Sequence, residues 1–181
     1  LLIGSGGREH SIALALQKSS RLAQLYSAPG NPGTAVCGTN VPIKDSDIMG
    51  LLQFAKEHNI DITIVGPEAP LAAGIVDLFQ EHGLAIVGPC KDAAQMESSK
   101  AWAKQFMKRF NIPTADYHVF TSYDAAMAHV QTTISFPTVI KADGLAAGKG
   151  VTVCFTKEEA EEALQKMMQD KIFAEAGDTV V

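Results

Sequence analysis

The chain has 181 residues, 46% of them hydrophobic, enough for one large domain or two small ones with a real core. Its formal net charge of −5 leaves no broad basic surface for nucleic acid, so any phosphate contact has to be local. Cys37, Cys90 and Cys154 are odd in number and widely spaced, with no CxxC pair, which points to a reduced, cytoplasmic compartment. The five histidines show no metal-ligand spacing, no apolar run approaches a membrane span, and no signal peptide is visible.

From Leu1 the pattern is an apolar strand, a loop holding Gly4, Gly6 and Gly7, and a helix from about Arg8 to Lys18 with Ile12, Leu14 and Leu16 on its apolar side. A helix N-terminus over a glycine loop is a ready anion site. The dinucleotide fingerprint, however, needs a third glycine where this chain has Glu9, and an acid at the end of the second strand (Leu25, Tyr26). That place holds Ala28-Pro29-Gly30-Asn31-Pro32-Gly33-Thr34 instead, so an NAD site is not expected. A tight turn that needs glycine only for packing is the plainer alternative.

Asp45 or Ser46 then opens a helix to about His58, and a strand from Ile60 to Val65 ends in Gly66-Pro67-Glu68-Ala69-Pro70. A helix from Leu71 to His82 closes on Gly83, and a strand from Leu84 to Val87 follows. Alternation of this kind with short connections predicts a parallel, doubly wound α/β sheet. Ligands of such sheets gather at the carboxyl ends of the strands, which makes one site of three loops.

Ser98 or Ser99 opens a helix to about Phe110, with Trp102, Phe106 and Phe110 in one stripe and Lys100, Lys104 and Lys108 in another. Ile112-Pro113 ends it and marks the expected domain boundary. A strand (Tyr117 to Phe120), a helix from Ser122, a hairpin, and a helix opened by Thr156 with Glu159 in a capping box complete the order. Thr179 to Val181 begin a further strand, and both ends of the chain read as interruptions of a longer protein.

The hairpin, Phe136 to Phe155, is strand, glycine-rich loop, strand. Val139 and Ile140 lead to Lys141, while Val151, Val153 and Phe155 alternate with small or polar residues as in a half-buried strand. Between them Gly144 to Gly150 carries three glycines and Lys149, and such a loop can lay backbone N–H groups along a polyphosphate. It is not a Walker A loop: Asp143 stands at the first glycine position, Gly150 follows the lysine, and a strand comes next. A mobile flap over phosphates, helped by Lys141 and Lys149, accounts for the pattern better than a loose hairpin tip.

IKADGLAAGKGV at this hairpin resembles the nucleotide flap of the phosphoribosylamine–glycine ligase family, ATP-grasp enzymes. IGSGGREH at 3–10, APGNPGT at 28–34 and VGPEAPL at 65–71 match the same family in order. The resemblance implies a Rossmann-like pre-ATP-grasp domain over residues 1–112 and a small α+β nucleotide-lid subdomain over 113–181. It also implies ligation of glycine to 5-phosphoribosylamine through glycyl phosphate, with ATP going to ADP and phosphate, in purine synthesis.

Carried onto this sequence, the family pattern gives ATP to Lys100, Lys141, Gly144, Ala147, Gly148, Lys149 and Gly150. It gives the sugar phosphate to Gly6, Gly7, Arg8, Glu9, Asn31, Gly33, Thr34, Pro67 and Glu68. Magnesium ligands, glycine contacts and the adenine segment are expected beyond residue 181, so this piece alone is expected to lack turnover. Small molecules are the expected partners, with no nucleic acid, membrane or obligate protein partner. Another ATP-grasp ligase and a non-catalytic nucleotide- or sugar-phosphate-binding module remain alternatives.

Overall fold

The structure is a computed structural model that describes residues 1–132, 135–146 and 148–181. It divides into two compact units, Leu1–Ala94 and Gln95–Val181. The boundary expected near residue 112 falls inside the second unit.

The first unit is a five-stranded sheet, all parallel, in the order β3-β2-β1-β4-β5. Its strands are β1 (Leu2–Gly4), β2 (Tyr26–Pro29), β3 (Thr39–Asn40), β4 (Thr63–Val65) and β5 (Ile86–Val87). The helices between them are α1 (Gly7–Leu16), α2 (Pro32–Cys37), α3 (Ile48–Glu57), α4 (Glu68–Ala73) and α5 (Ile75–Glu81). Leu1 and Ile3 pack with Leu51, Leu52, Ile75 and Phe79, and Leu2 packs with Ala13, Leu25 and Cys37. Alternate residues of one strand therefore enter two separate cores, which is why β1 reads as an unbroken apolar run. The doubly wound expectation holds, and the strand order reverses at β1, between β2 and β4.

Local details differ where tertiary packing decides them. On α1 the buried residues are Glu9 and Ala13, with Ile12 and Leu16 packed beside them, a helical face that leaves Leu14 46% exposed. Asp47, rather than Asp45 or Ser46, caps α3 by accepting the Gly50 N–H. The single helix expected over 71–82 is two, because Gly74 takes φ +93° between α4 and α5. Helix α2, read from sequence as part of a loop, starts on Asn31, whose Oδ1 accepts from Gly33 N and Thr34 N.

Helix α6 (Lys91–Ser98) crosses the division. The second unit continues with α7 (Lys100–Arg109), α8 (Tyr123–Thr132), the antiparallel hairpin β6 (Thr138–Lys141) and β7 (Val151–Cys154), and α9 (Lys157–Leu164). Ser99 caps α7 through the Trp102 N–H, and Thr156 caps α9 through the Glu159 N–H. The expected strand over 117–120 is reduced to one bridge, Phe120 with Val180, and Val180 also bridges Ala142.

The hairpin keeps its period-two pattern, but in β7 the buried residue is Cys154 and not Val151 or Val153. Ile140 and Cys154 enter the core with Ala126, Val130, Ala160, Leu164 and Met167. Val139, Val151 and Val153 face outward, 42%, 43% and 52% exposed. The buried face sets Ile140 opposite Thr152 and Thr138 opposite Cys154, so in β7 the small and polar positions meet the helices, and alternation alone does not say which face that is.

Candidate functional site

In the first unit, the three loops at the carboxyl ends of β1, β2 and β4 are stitched together by side chains. Asn31 Nδ2 donates to the carbonyls of Ser5 at 3.0 Å and Gly6 at 2.9 Å, joining the β2 loop to the β1 loop. Arg8 Nη1 donates to the Gly66 carbonyl at 2.6 Å and to Glu68 Oε1 at 2.9 Å, joining the start of α1 to the β4 loop. Thr34 is fully buried, and Asn40 Oδ1 accepts its hydroxyl at 2.8 Å.

The residues chosen from sequence thus fall into two sets. Gly6, Gly7 and Arg8 are exposed at the loop surface, with Pro67 and Glu68 half-buried beside them. Asn31, Gly33 and Thr34 brace the β2 loop from within, Gly33 lying against the His10 ring. Glu9 is also internal: it is 4% exposed and its Oε2 accepts the Gly6 N–H at 2.6 Å. Its carboxylate faces the loop interior.

Charge at the surface is concentrated on Arg8 and Glu68. Glu68 is held below its ordinary value, first by its own backbone N–H at the start of α4 and then by the Arg8 hydrogen bond. Arg8 is raised in turn, mainly by that same hydrogen bond to Glu68. Both side chains are largely in water, so the pair fixes geometry more than it adds stability.

In the second unit, Lys141, half-buried at the end of β6, lines a cleft of about 590 Å³ together with Val139 and Val151. Its lining also includes Lys104, Tyr117, His118, Phe120 and His129, and the core residues Ile140 and Val130. The His118 and His129 rings lie 4.3 Å apart, and His129 is pushed below its ordinary value by burial and then by His118. Lys104 is held by Thr114 Oγ1 and the Ala115 carbonyl, 5.6 Å over the Tyr117 ring. The stripe of Lys100, Lys104 and Lys108 carries no signal of these partners.

Lys100 lies at the base of the flap, its Nζ donating to the Gly144 carbonyl at 2.9 Å. Asp143 makes the same base fast: its two oxygens accept the Ala101 N–H and the Ser99 hydroxyl, each at 3.0 Å. Gly144 and Gly148 have φ of +91° and +74°, and a Cβ at Gly148 would meet nothing. Lys149 is exposed, its N–H closing a turn on the Ala146 carbonyl, and the Ala142 N–H donates to Gly150 O. Ala147, also expected at ATP, lies outside the described residues. Among the described residues no group of three or more His, Cys, Asp or Glu side chains could hold a metal ion.

Two family models match the chain: phosphoribosylglycinamide synthetase N domain over residues 1–97, and the ATP-grasp (A) domain of the same enzyme over residues 98–181. Phosphoribosylamine–glycine ligase of Halalkalibacterium halodurans is 54% identical over 181 residues, all of this chain and 42% of that protein. The crystal structure of phosphoribosylamine–glycine ligase from Thermotoga maritima is 31% identical with a TM-score of 0.77, covering 99% of this chain and 41% of that one. Biotin carboxylase of Campylobacter jejuni, solved as a β,γ-ATP complex, shares the fold at 18% identity and a TM-score of 0.73, covering 99% of this chain and 43% of that one. The chain thus spans about two fifths of the length of such relatives. With both models matched from end to end, the chain belongs to the phosphoribosylglycinamide synthetase family.

Proposed function

We propose that the protein bearing this chain ligates glycine to 5-phosphoribosylamine at the expense of ATP, giving glycinamide ribonucleotide, ADP and phosphate in the cytoplasm. In this reading the second unit receives ATP and the loops of the first receive the sugar phosphate. The observation that carries it is the outward face of the β6–β7 hairpin. Val139 and Val151 are half-exposed on the same strand face as Lys141, and all three line the cleft beside the core residues Ile140 and Val130. An apolar floor that ends in an ammonium suits a flat base joined to phosphates. The match of residues 98–181 to the ATP-grasp (A) domain model supports a nucleotide as the ligand of this unit.

The chemistry asks this chain for positioning and positive charge. Glycine's carboxylate is a poor acylating agent until it takes the γ-phosphoryl group, after which the amine of the sugar phosphate displaces phosphate from the acyl phosphate. Lys141 and Lys149 would steady the polyphosphate, and flap N–H groups would line it. Arg8 and the Gly7 backbone would hold the sugar's phosphate. The described residues do not fit a magnesium site, so the positive charge this chain supplies comes from its lysines and arginine.

The test is product formation by the full-length protein. Phosphate release should require both glycine and phosphoribosylamine. Lys141→Ala should weaken apparent ATP affinity about ten- to a hundredfold, the worth of one charge-assisted hydrogen bond of roughly 1.5–3 kcal/mol. Release independent of the amine, or an unchanged ATP requirement in the variant, would overturn the reading.

A further inference from the structure

Glu9 stands where a glycine-rich strand–loop–helix turn would otherwise admit an anion. A Cβ at Gly4 would lie 2.7 Å from its Cδ, one at Gly6 would lie 3.0 Å from its Oε2, and one at Gly66 would fall against its Oε1. Three glycines, from the end of β1, the loop after it and the end of β4, therefore outline the space that one carboxylate fills. That carboxylate is 4% exposed and takes the Gly6 N–H at 2.6 Å, at the positive end of the ten-residue α1. On the other side of the same backbone, Arg8 Nη1 holds the Gly66 carbonyl. Residues 8 and 9 thus clasp Gly66 between them.

We infer that Glu9 is a positioning and specificity-determining residue: a built-in anion that occupies the loop's interior phosphate position. It closes that position to a pyrophosphate and leaves a single outer place, at Gly7 and Arg8, for a monoester phosphate. The inference rests on the proposed sugar-phosphate site but reassigns Glu9 from ligand contact to internal brace. Two of the five guanidinium donors of Arg8 are used on Gly66 and Glu68, and the clasp orients the remainder. Shape alone would be kept by a neutral amide; the fit to the helix N-terminus and the Gly6 N–H needs the charge.

The test uses the full-length protein with Glu9→Gln, which keeps the shape, and Glu9→Ala, which empties the space. Calorimetric titration with ribose 5-phosphate should show Glu9→Gln weakened about tenfold, the cost of downgrading one charge-assisted hydrogen bond, with the KM for ATP unchanged. Glu9→Ala should bind ribose 5-phosphate more weakly still, recover it in acetate, and gain a pyrophosphate site that acetate competes away. Wild-type affinity for ribose 5-phosphate in Glu9→Gln, or a Glu9→Ala protein with no acetate-sensitive pyrophosphate site, would overturn the inference. If Glu9→Ala does not fold, Glu9→Gln decides it. A wild-type protein that ignores ribose 5-phosphate would sink the sugar-phosphate reading instead, and the pyrophosphate arm would still judge Glu9.

Discussion

Replacing Asp143 with alanine should unfasten the flap from α7. The carboxylate takes two donors, the Ala101 N–H and the Ser99 hydroxyl, both at 3.0 Å, and Ser99 in turn accepts the Trp102 N–H at 3.1 Å. Hydrogen bonds to charged groups are worth roughly 1.5–3 kcal/mol when dry, and losing a helix cap costs about 0.5–2 kcal/mol. Asp143 is half-buried, so screening by water brings each bond down to about 1 kcal/mol and the pair to about 2 kcal/mol. An opening equilibrium shifted by that amount makes protected amides exchange roughly thirtyfold faster. Hydrogen exchange on the full-length protein should show this at residues 99–103 and at 141–146, with α9 unaffected. Asp143→Asn keeps one carbonyl acceptor without the charge and should cost about half as much, near fivefold in exchange. Unchanged exchange in Asp143→Ala, or acceleration spread evenly over the whole second unit, would refute the clasp.

A methyl group at Gly177, which is buried, would run into the carbonyl of Met167 in the π-helical turn that follows α9. Backbone cannot yield as a side chain can, so Gly177→Ala should destabilise by about 3 kcal/mol, the upper range for overpacking, read as a lower urea midpoint at constant slope. An unshifted midpoint would show that the turn relaxes freely. Glu68 should titrate below its ordinary 4.5, so its contribution to stability is complete above that pH and is lost as pH falls through the lower folded value. Arg8→Ala should raise the midpoint only partway, because the larger cause is the backbone N–H of Glu68 itself. A carboxyl-carbon NMR titration giving 4.5 or higher in the unaltered protein would contradict the pairing.

Much of this molecule is written in short-range chemistry. Alternating apolar runs and punctuating glycines announce the parallel sheet, and with it the meeting of three loops at the strand ends. Ser99 and Thr156 mark their helices because a cap acts across only three residues. The glycine spacing around Lys149 likewise marks the loop of the hairpin that β6 and β7 form. What needed the folded chain are choices between locally equivalent options and contacts between distant residues. Ile140 and Val139 are equally apolar neighbours; only the packing of α8 and α9 buries the first and leaves the second 42% exposed. Glu9 reads as a ligand until Gly4, Gly6 and Gly66 are seen to enclose it. Asp143 looks like a failed phosphate loop until Ala101, 42 residues away, presents its N–H. Spacing carries no trace of such partners, because a backbone donor 42 residues off has no side-chain signature, and only tertiary structure brings it within 3.0 Å.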